Sequence, residues 1–115
     1  MCWWRVWYSY IKGHAHVYYR VVGHMKTAQQ LERHFKGIAN HRRIEILLLV
    51  GKSDGLSLEE IATALECNLK TVSEHTRRLV QAGLLNKKYR GREVAHSLSP
   101  YGARLVKLIT TFSHS

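Results

Sequence analysis

The segment from Lys70 to Arg78 (KTVSEHTRR) carries the side chains best suited to chemistry with another molecule. Read as a helix, it puts Val72, Thr76, Leu79 and Val80 on one side at i, i+4, i+7 and i+8, where they can dock inward. The opposite side then shows Lys70, Thr71, Ser73, Glu74 and Arg77. Hydroxyls, a carboxylate and an ammonium can exchange hydrogen bonds with base edges inside a major groove, and guanidiniums can grip phosphates. Lys70, Thr71, Ser73 and Glu74 are therefore the base-edge candidates, and Arg77 and Arg78 the phosphate candidates. A second cluster follows, with Lys87, Lys88, Arg90 and Arg92 within six positions. At the tip of a hairpin it would form a phosphate-neutralising surface able to lie along or enter a minor groove. The bland reading of both clusters is a solvated, solubilising surface; their succession on a strongly basic chain favours the nucleic-acid reading.

The chain has 115 residues, enough for one domain with a modest core. Lys and Arg total 18 against 8 acidic residues, giving a formal charge of +10 and marking a polyanion as the expected large partner. A membrane surface fits less well, because no helical stretch joins a basic face to a wide aromatic and leucine face. No apolar run approaches the roughly 20 residues that span a bilayer. Cys2 and Cys67 form no paired pattern, which points to a reducing compartment.

Residues 1–24 differ from the rest: they hold all three Trp and four of the six Tyr, yet no Asp or Glu. Gly23-His24-Met25 resembles the scar a cloning vector leaves before a native start. The expectation is that Met25 begins the functional domain, 25–115, and that the leader is vector-derived or a mis-assigned upstream start. The alternative is an aromatic β-hairpin around Lys12-Gly13 serving dimer contacts.

The elements that must position the two clusters can be read from caps and periods. Thr27 can cap a first helix with Leu31, Phe35 and Ile38 on one stripe, broken by Gly37 and Asn40. Asn40 is a good N-cap for a second helix whose run from Ile44 to Val50 is apolar on nearly every face and so belongs in the core. Gly51 to Gly55 reads as a turn-rich connection. Ser57 and Glu60 make a capping box for a third helix with Ile61, Ala62 and Leu65 inward. Asn68 caps the fourth helix, expected over 69–82, and Gly83 supplies a left-handed C-cap. A hairpin over 85–98 turns at Arg90-Gly91-Arg92. Ser99-Pro100 opens a last helix with Leu105, Leu108, Ile109 and Phe112 on a narrow stripe. That stripe and Leu31 and Phe35 on the first helix suggest a two-fold partner surface. The fold class is mainly α with a small β-hairpin wing: about five helices arranged as a winged helix-turn-helix.

From about Leu31 to Phe112 the chain resembles the ArsR-type winged-helix repressors. The matching segments are NHRRIEILLLV, LSLEEIATALECNLKTVSEHTRRLVQAGLL and KKYRGREVAHSLS, and the most specific stretch is Thr71 to His75 followed by Leu79 to Leu85. The resemblance implies a prokaryotic cytoplasmic homodimer, joined through its first and last helices, with two recognition helices on palindromic double-stranded DNA and repression relieved by an effector. It does not extend to the metal sites of that family. Where metal-sensing members carry a cysteine pair, this chain has Leu56 to Ile61 with neither Cys nor His, and the last helix offers only His114. Cys67 reads as a small buried residue, His75 as a structural or DNA-facing member of the fourth helix and His41 as a first-turn residue, so neither metal nor cofactor is expected. Catalysis is not expected either, since there is no Gly-rich phosphate cradle, G-x-S-x-G or H-E-x-x-H. The rival reading is a winged-helix adaptor that binds protein or RNA without operator specificity.

Overall fold

In a computed structural model the described residues are 26–114. The leader, and every reading of it, lies outside them. The chain divides into Met1–Gln30 and Leu31–Ser115. At the end of the first unit Thr27 Oγ1 accepts from the Gln30 amide at 3.2 Å, while Gln30 Oε1 accepts from the Thr27 amide at 2.9 Å: a reciprocal cap.

The element order is α1 (Ala28–Ile38), α2 (His41–Lys52), α3 (Leu58–Leu65), α4 (Leu69–Gln81), β1 (Leu85–Arg90), β2 (Glu93–Leu98) and α5 (Pro100–Ser113). Each start has its side-chain cap. Asn40 accepts from the amides of Arg42 and Arg43, Ser57 from that of Glu60, Asn68 from that of Lys70 and Ser99 from that of Gly102. The α4 C-terminus closes as a Schellman motif, with the Leu84 amide bonded to the Leu79 carbonyl and Gly83, at φ 76°, bonded to Val80. Leu79 and Leu84, the apolar pair of that motif, are both fully buried.

α2 is central, touching α3, α4, α5 and β2. Its Ile46, Leu47 and Val50 join Ile61 and Ala62 of α3, Val72 and Leu79 of α4, and Leu84 and Leu85 in one core. β1 and β2 pair antiparallel from Leu85↔Leu98 to Arg90↔Glu93. A one-residue antiparallel bridge, Leu56↔His96, sets the segment before α3 beside β2.

Four local expectations are corrected. Gly37 does not break α1; it lies within the helix, where a Cβ would stand 2.2 Å from that of Ala82, so its role is close approach. Gly51 and Lys52 continue α2 rather than opening the connection, because the helix ends only at Ser53. Arg90 is the last residue of β1 and not part of the turn, which is the two-residue Gly91-Arg92 with positive φ at Gly91 alone, as in a type II′ turn. The fourth helix also stops at Gln81, with Ala82 as its cap.

His96 is 1% exposed, and both its backbone amide and its Nδ1 donate to the Leu56 carbonyl, at 2.9 and 3.1 Å. Burial pushes its imidazole below the ordinary value; the Leu56 bond opposes this and the Lys87 charge adds to it. As pH falls below the unfolded value of about 6.5, the unfolded chain takes up a proton that the native state resists. Stability is therefore full above that pH and is lost as pH drops toward the native pKa. Denaturation midpoints measured from neutral to mildly acid pH should fall accordingly. His96→Asn should flatten the fall; His75, which shifts in the same direction, supplies the remainder. An unchanged pH slope in the variant would sink the assignment to His96.

Candidate nucleic-acid interface

The inner side of α4 is fixed by Val72, Thr76 and Leu79, each no more than 1% exposed, with Val80 packed beside them. Helical geometry then leaves Lys70, Thr71, Ser73, Glu74, Arg77 and Arg78 outward, and all six are exposed. α4 packs on α3 and α2 behind and on β1 beyond its end, so the face is held on a rigid support. Arg33 of α1 donates to the Gln81 carbonyl at 2.9 Å, and His34 Nδ1 lies 2.7 Å from the Ala82 carbonyl, tying α1 to the C-terminal end of α4.

Glu74 is not a free carboxylate. Arg77 approaches it through both Nε and Nη2, and Arg78 through Nε at 3.2 Å. These bonds, the one from Arg77 first, hold the Glu74 carboxyl below the usual carboxylate range. The i, i+3 and i, i+4 spacing that permits the triad is visible in the sequence, but the candidates were sorted there one by one. His75 is half-buried rather than on the reading face; desolvation lowers its pKa, helped by the charges of Arg43 and Arg78. His41 is an exposed first-turn residue of α2.

On the hairpin Lys87, Lys88, Arg90 and Arg92 are all exposed. They do not form one continuous surface: alternation along β1 puts Lys87 and Tyr89 on one face and Lys88 and Arg90 on the other. The Arg90 guanidinium folds toward the α2–α3 connection, with Nη2 3.8 Å from where a Gly55 Cβ would stand. Tyr89, 73% exposed amid these cations, was missed in the sequence reading. It is an aromatic surface of the kind that packs on sugars or bases.

Of the apolar stripe, Leu31, Phe35, Leu108 and Phe112 are exposed, at 38, 50, 53 and 78%, whereas Leu105 and Ile109 are half-buried against the core. Among the described residues no three His, Cys, Asp or Glu side chains gather where a metal ion would be held, and no helix is long and apolar enough to cross a membrane.

The HVO_A0114 family profile matches residues 38–104, more than half of the chain and the whole stretch from the end of α1 into α5. The chain belongs to the HVO_A0114 family. Its structural neighbours make this HVO_A0114-family protein an ArsR-type winged helix-turn-helix transcriptional regulator. A possible transcriptional regulatory protein of Mycobacterium bovis (fragment 1-100) is 31% identical, covering 79% of this chain and 100% of that one, at a TM-score of 0.67. The homodimeric winged helix-turn-helix DNA-binding domain Mb0332 of M. bovis, a possible ArsR-family regulator, is 28% identical, covering 79% and 90% at 0.69. HlyU from Vibrio cholerae N16961 is 25% identical, covering 80% and 100% at 0.70. No curated protein matches the chain by sequence. The architecture that the HVO_A0114-family chain shares with these neighbours is that of regulators, not of enzymes.

Proposed function

We propose that this protein is a homodimeric repressor that reads a palindromic double-stranded DNA operator with α4 and grips the flanking backbone with its β1–β2 wing. The observation that carries this reading is the outward face of α4: six polar or cationic side chains, all exposed, on a helix whose other side is locked into the core. Lys70, Thr71, Ser73 and Glu74 read base edges; Arg77, Arg78, Lys87, Lys88, Arg90 and Arg92 neutralise phosphates. The dimer forms over Leu31, Phe35, Leu105, Leu108, Ile109 and Phe112, four of which expose apolar surface that a second copy would remove from water. The homodimeric state of the M. bovis relative supports the same assembly here. Repression follows from occupancy, since a dimer covering two half-sites excludes other proteins from them.

The deciding experiment selects bound fragments from a random duplex pool. Two inverted half-sites about 10 base pairs apart, one helical turn, are the expected result for a two-fold dimer. Recovery of unrelated sequences, with binding that ignores salt, would instead support the adaptor reading. Within a selected site Thr71→Ala or Ser73→Ala should cost about 1–3 kcal/mol at one base pair and leave binding to unrelated duplex unchanged. Titrating single-base-pair variants of the site against each mutant checks this, and a uniform loss across all of them would remove these residues from base readout.

A further inference from the structure

The Glu74 triad supports a step beyond assigning α4 to base reading, and it rests on that assignment. Glu74 is the one acidic residue of α4, yet it stands in the middle of the face meant for a polyanion. Its carboxylate holds both guanidiniums that would otherwise bind phosphate. Major-groove edges present mostly acceptors, the N7 and O6 of guanine, the N7 of adenine and the O4 of thymine, all of which repel a carboxylate. The amino groups of cytosine and adenine are the donors there, and cytosine N4 is the usual partner of an acidic side chain. The ion pairs are solvent-exposed, each side chain about half accessible. Pairs of this kind are weakly held, so phosphate oxygens can take over the guanidiniums at little cost.

We infer that Glu74 is a specificity-determining residue of α4 that works by partner exchange: it sequesters Arg77 and Arg78 in the free protein and yields them to phosphates only where a base amino group, foremost that of cytosine, replaces them at its carboxylate. At a wrong base the carboxylate faces acceptors, keeps its arginines and withholds their phosphate contacts. Readout of one base is thus coupled to backbone grip. The repulsive element that specificity requires is built into the reading face itself.

The test uses the full chain, a duplex recovered by pool selection and a scrambled duplex of the same length and composition. Glu74→Gln should bind the scrambled duplex several-fold more tightly and steepen its log–log salt slope by about one for each phosphate contact that a freed guanidinium gains. Preference for the selected duplex should fall by about 5- to 150-fold, the range of one lost base contact. In an Arg77→Gln, Arg78→Gln background the same substitution should no longer tighten scrambled binding, which a merely structural role for Glu74 would not predict. A Glu74→Gln protein with an unchanged preference and slope, or one weakened equally on both duplexes, overturns this inference alone. A wild-type protein that cannot tell the two duplexes apart overturns it together with the base-reading assignment.

Discussion

Neutralising Lys87, Lys88, Arg90 and Arg92 together, each to glutamine, is expected to weaken binding to every duplex by more than about three orders of magnitude at 0.1 M salt. Each phosphate contact adds about 0.9 to the log–log salt slope, a little under tenfold in affinity at that salt, so the four contacts of each wing approach 10^3 to 10^4. That is roughly 5 kcal/mol per wing, against about 1–3 for a base contact on one α4. On these magnitudes the wing sets affinity and the helix sets choice. All four side chains are exposed and none belongs to the hydrophobic core, so the denaturation midpoint should barely move. The two faces of β1 add a finer expectation. A wing lying flat on one rail would use Lys88 and Arg90 but not Lys87, whereas a wing entering the groove edge-on would use both faces. The Lys88→Gln, Arg90→Gln pair and Lys87→Gln alone, titrated by anisotropy across a salt series, separate these cases. A loss confined to one sequence, or a wild-type slope preserved in the quadruple variant, would remove the wing from the phosphate contacts.

Most of the architecture was legible because it is written in local signals. Asn40, Ser57, Asn68 and Ser99 each combine a helix-capping side chain with an apolar run that follows, and each starts a helix where expected. Gly83 is left-handed for the reason its position suggested. What escaped were effects of partners distant in sequence. Gly37 looks like a breaker until Ala82 is placed against it, and Gly51 looks like the start of a loop until α2 is seen to be held by β2 and α5. The His96–Leu56 rung is invisible because its partners stand forty positions apart. The turn was misplaced by one residue because arginine has no turn preference of its own; Gly91, with its positive φ, sets the register. At the candidate site the exposed face of α4 followed from period alone. The Glu74 triad did not, although its spacing was in plain view.

The largest expected effect on stability belongs to a residue with no side chain. Gly102 begins α5 against the end of α4, and a Cβ there would stand 2.0 Å from the Leu84 carbonyl oxygen. That carbonyl cannot retreat. It accepts from the Ser99 amide at 3.1 Å, and its own residue is anchored through the Leu84 amide to Leu79. Ser99 Oγ closes the junction, donating to the Gly83 carbonyl at 2.6 Å while accepting from the Gly102 amide at 2.9 Å. Gly102→Ala must therefore push α5 away and break part of this network, at a cost of about 2–4 kcal/mol from overpacking and lost hydrogen bonds. Against a total stability of roughly 5–15 kcal/mol that is a large fraction. Gly37→Ala meets a comparably short distance, but its neighbour is the Ala82 methyl rather than a hydrogen-bonded carbonyl, so fewer hydrogen bonds are lost and the cost should be smaller. Gly51→Ala supplies the opposite sign. A Cβ there meets Leu98 Cδ1 at 3.4 Å, ordinary contact, and replacing a helical glycine recovers about 0.5–1 kcal/mol. Urea midpoints of the three variants should thus rank Gly51→Ala above wild type, then Gly37→Ala, then Gly102→Ala. A Gly102→Ala protein within about 1 kcal/mol of wild type, less than the smallest cost expected of overpacking, would mean that the α4–α5 junction is not packed as described.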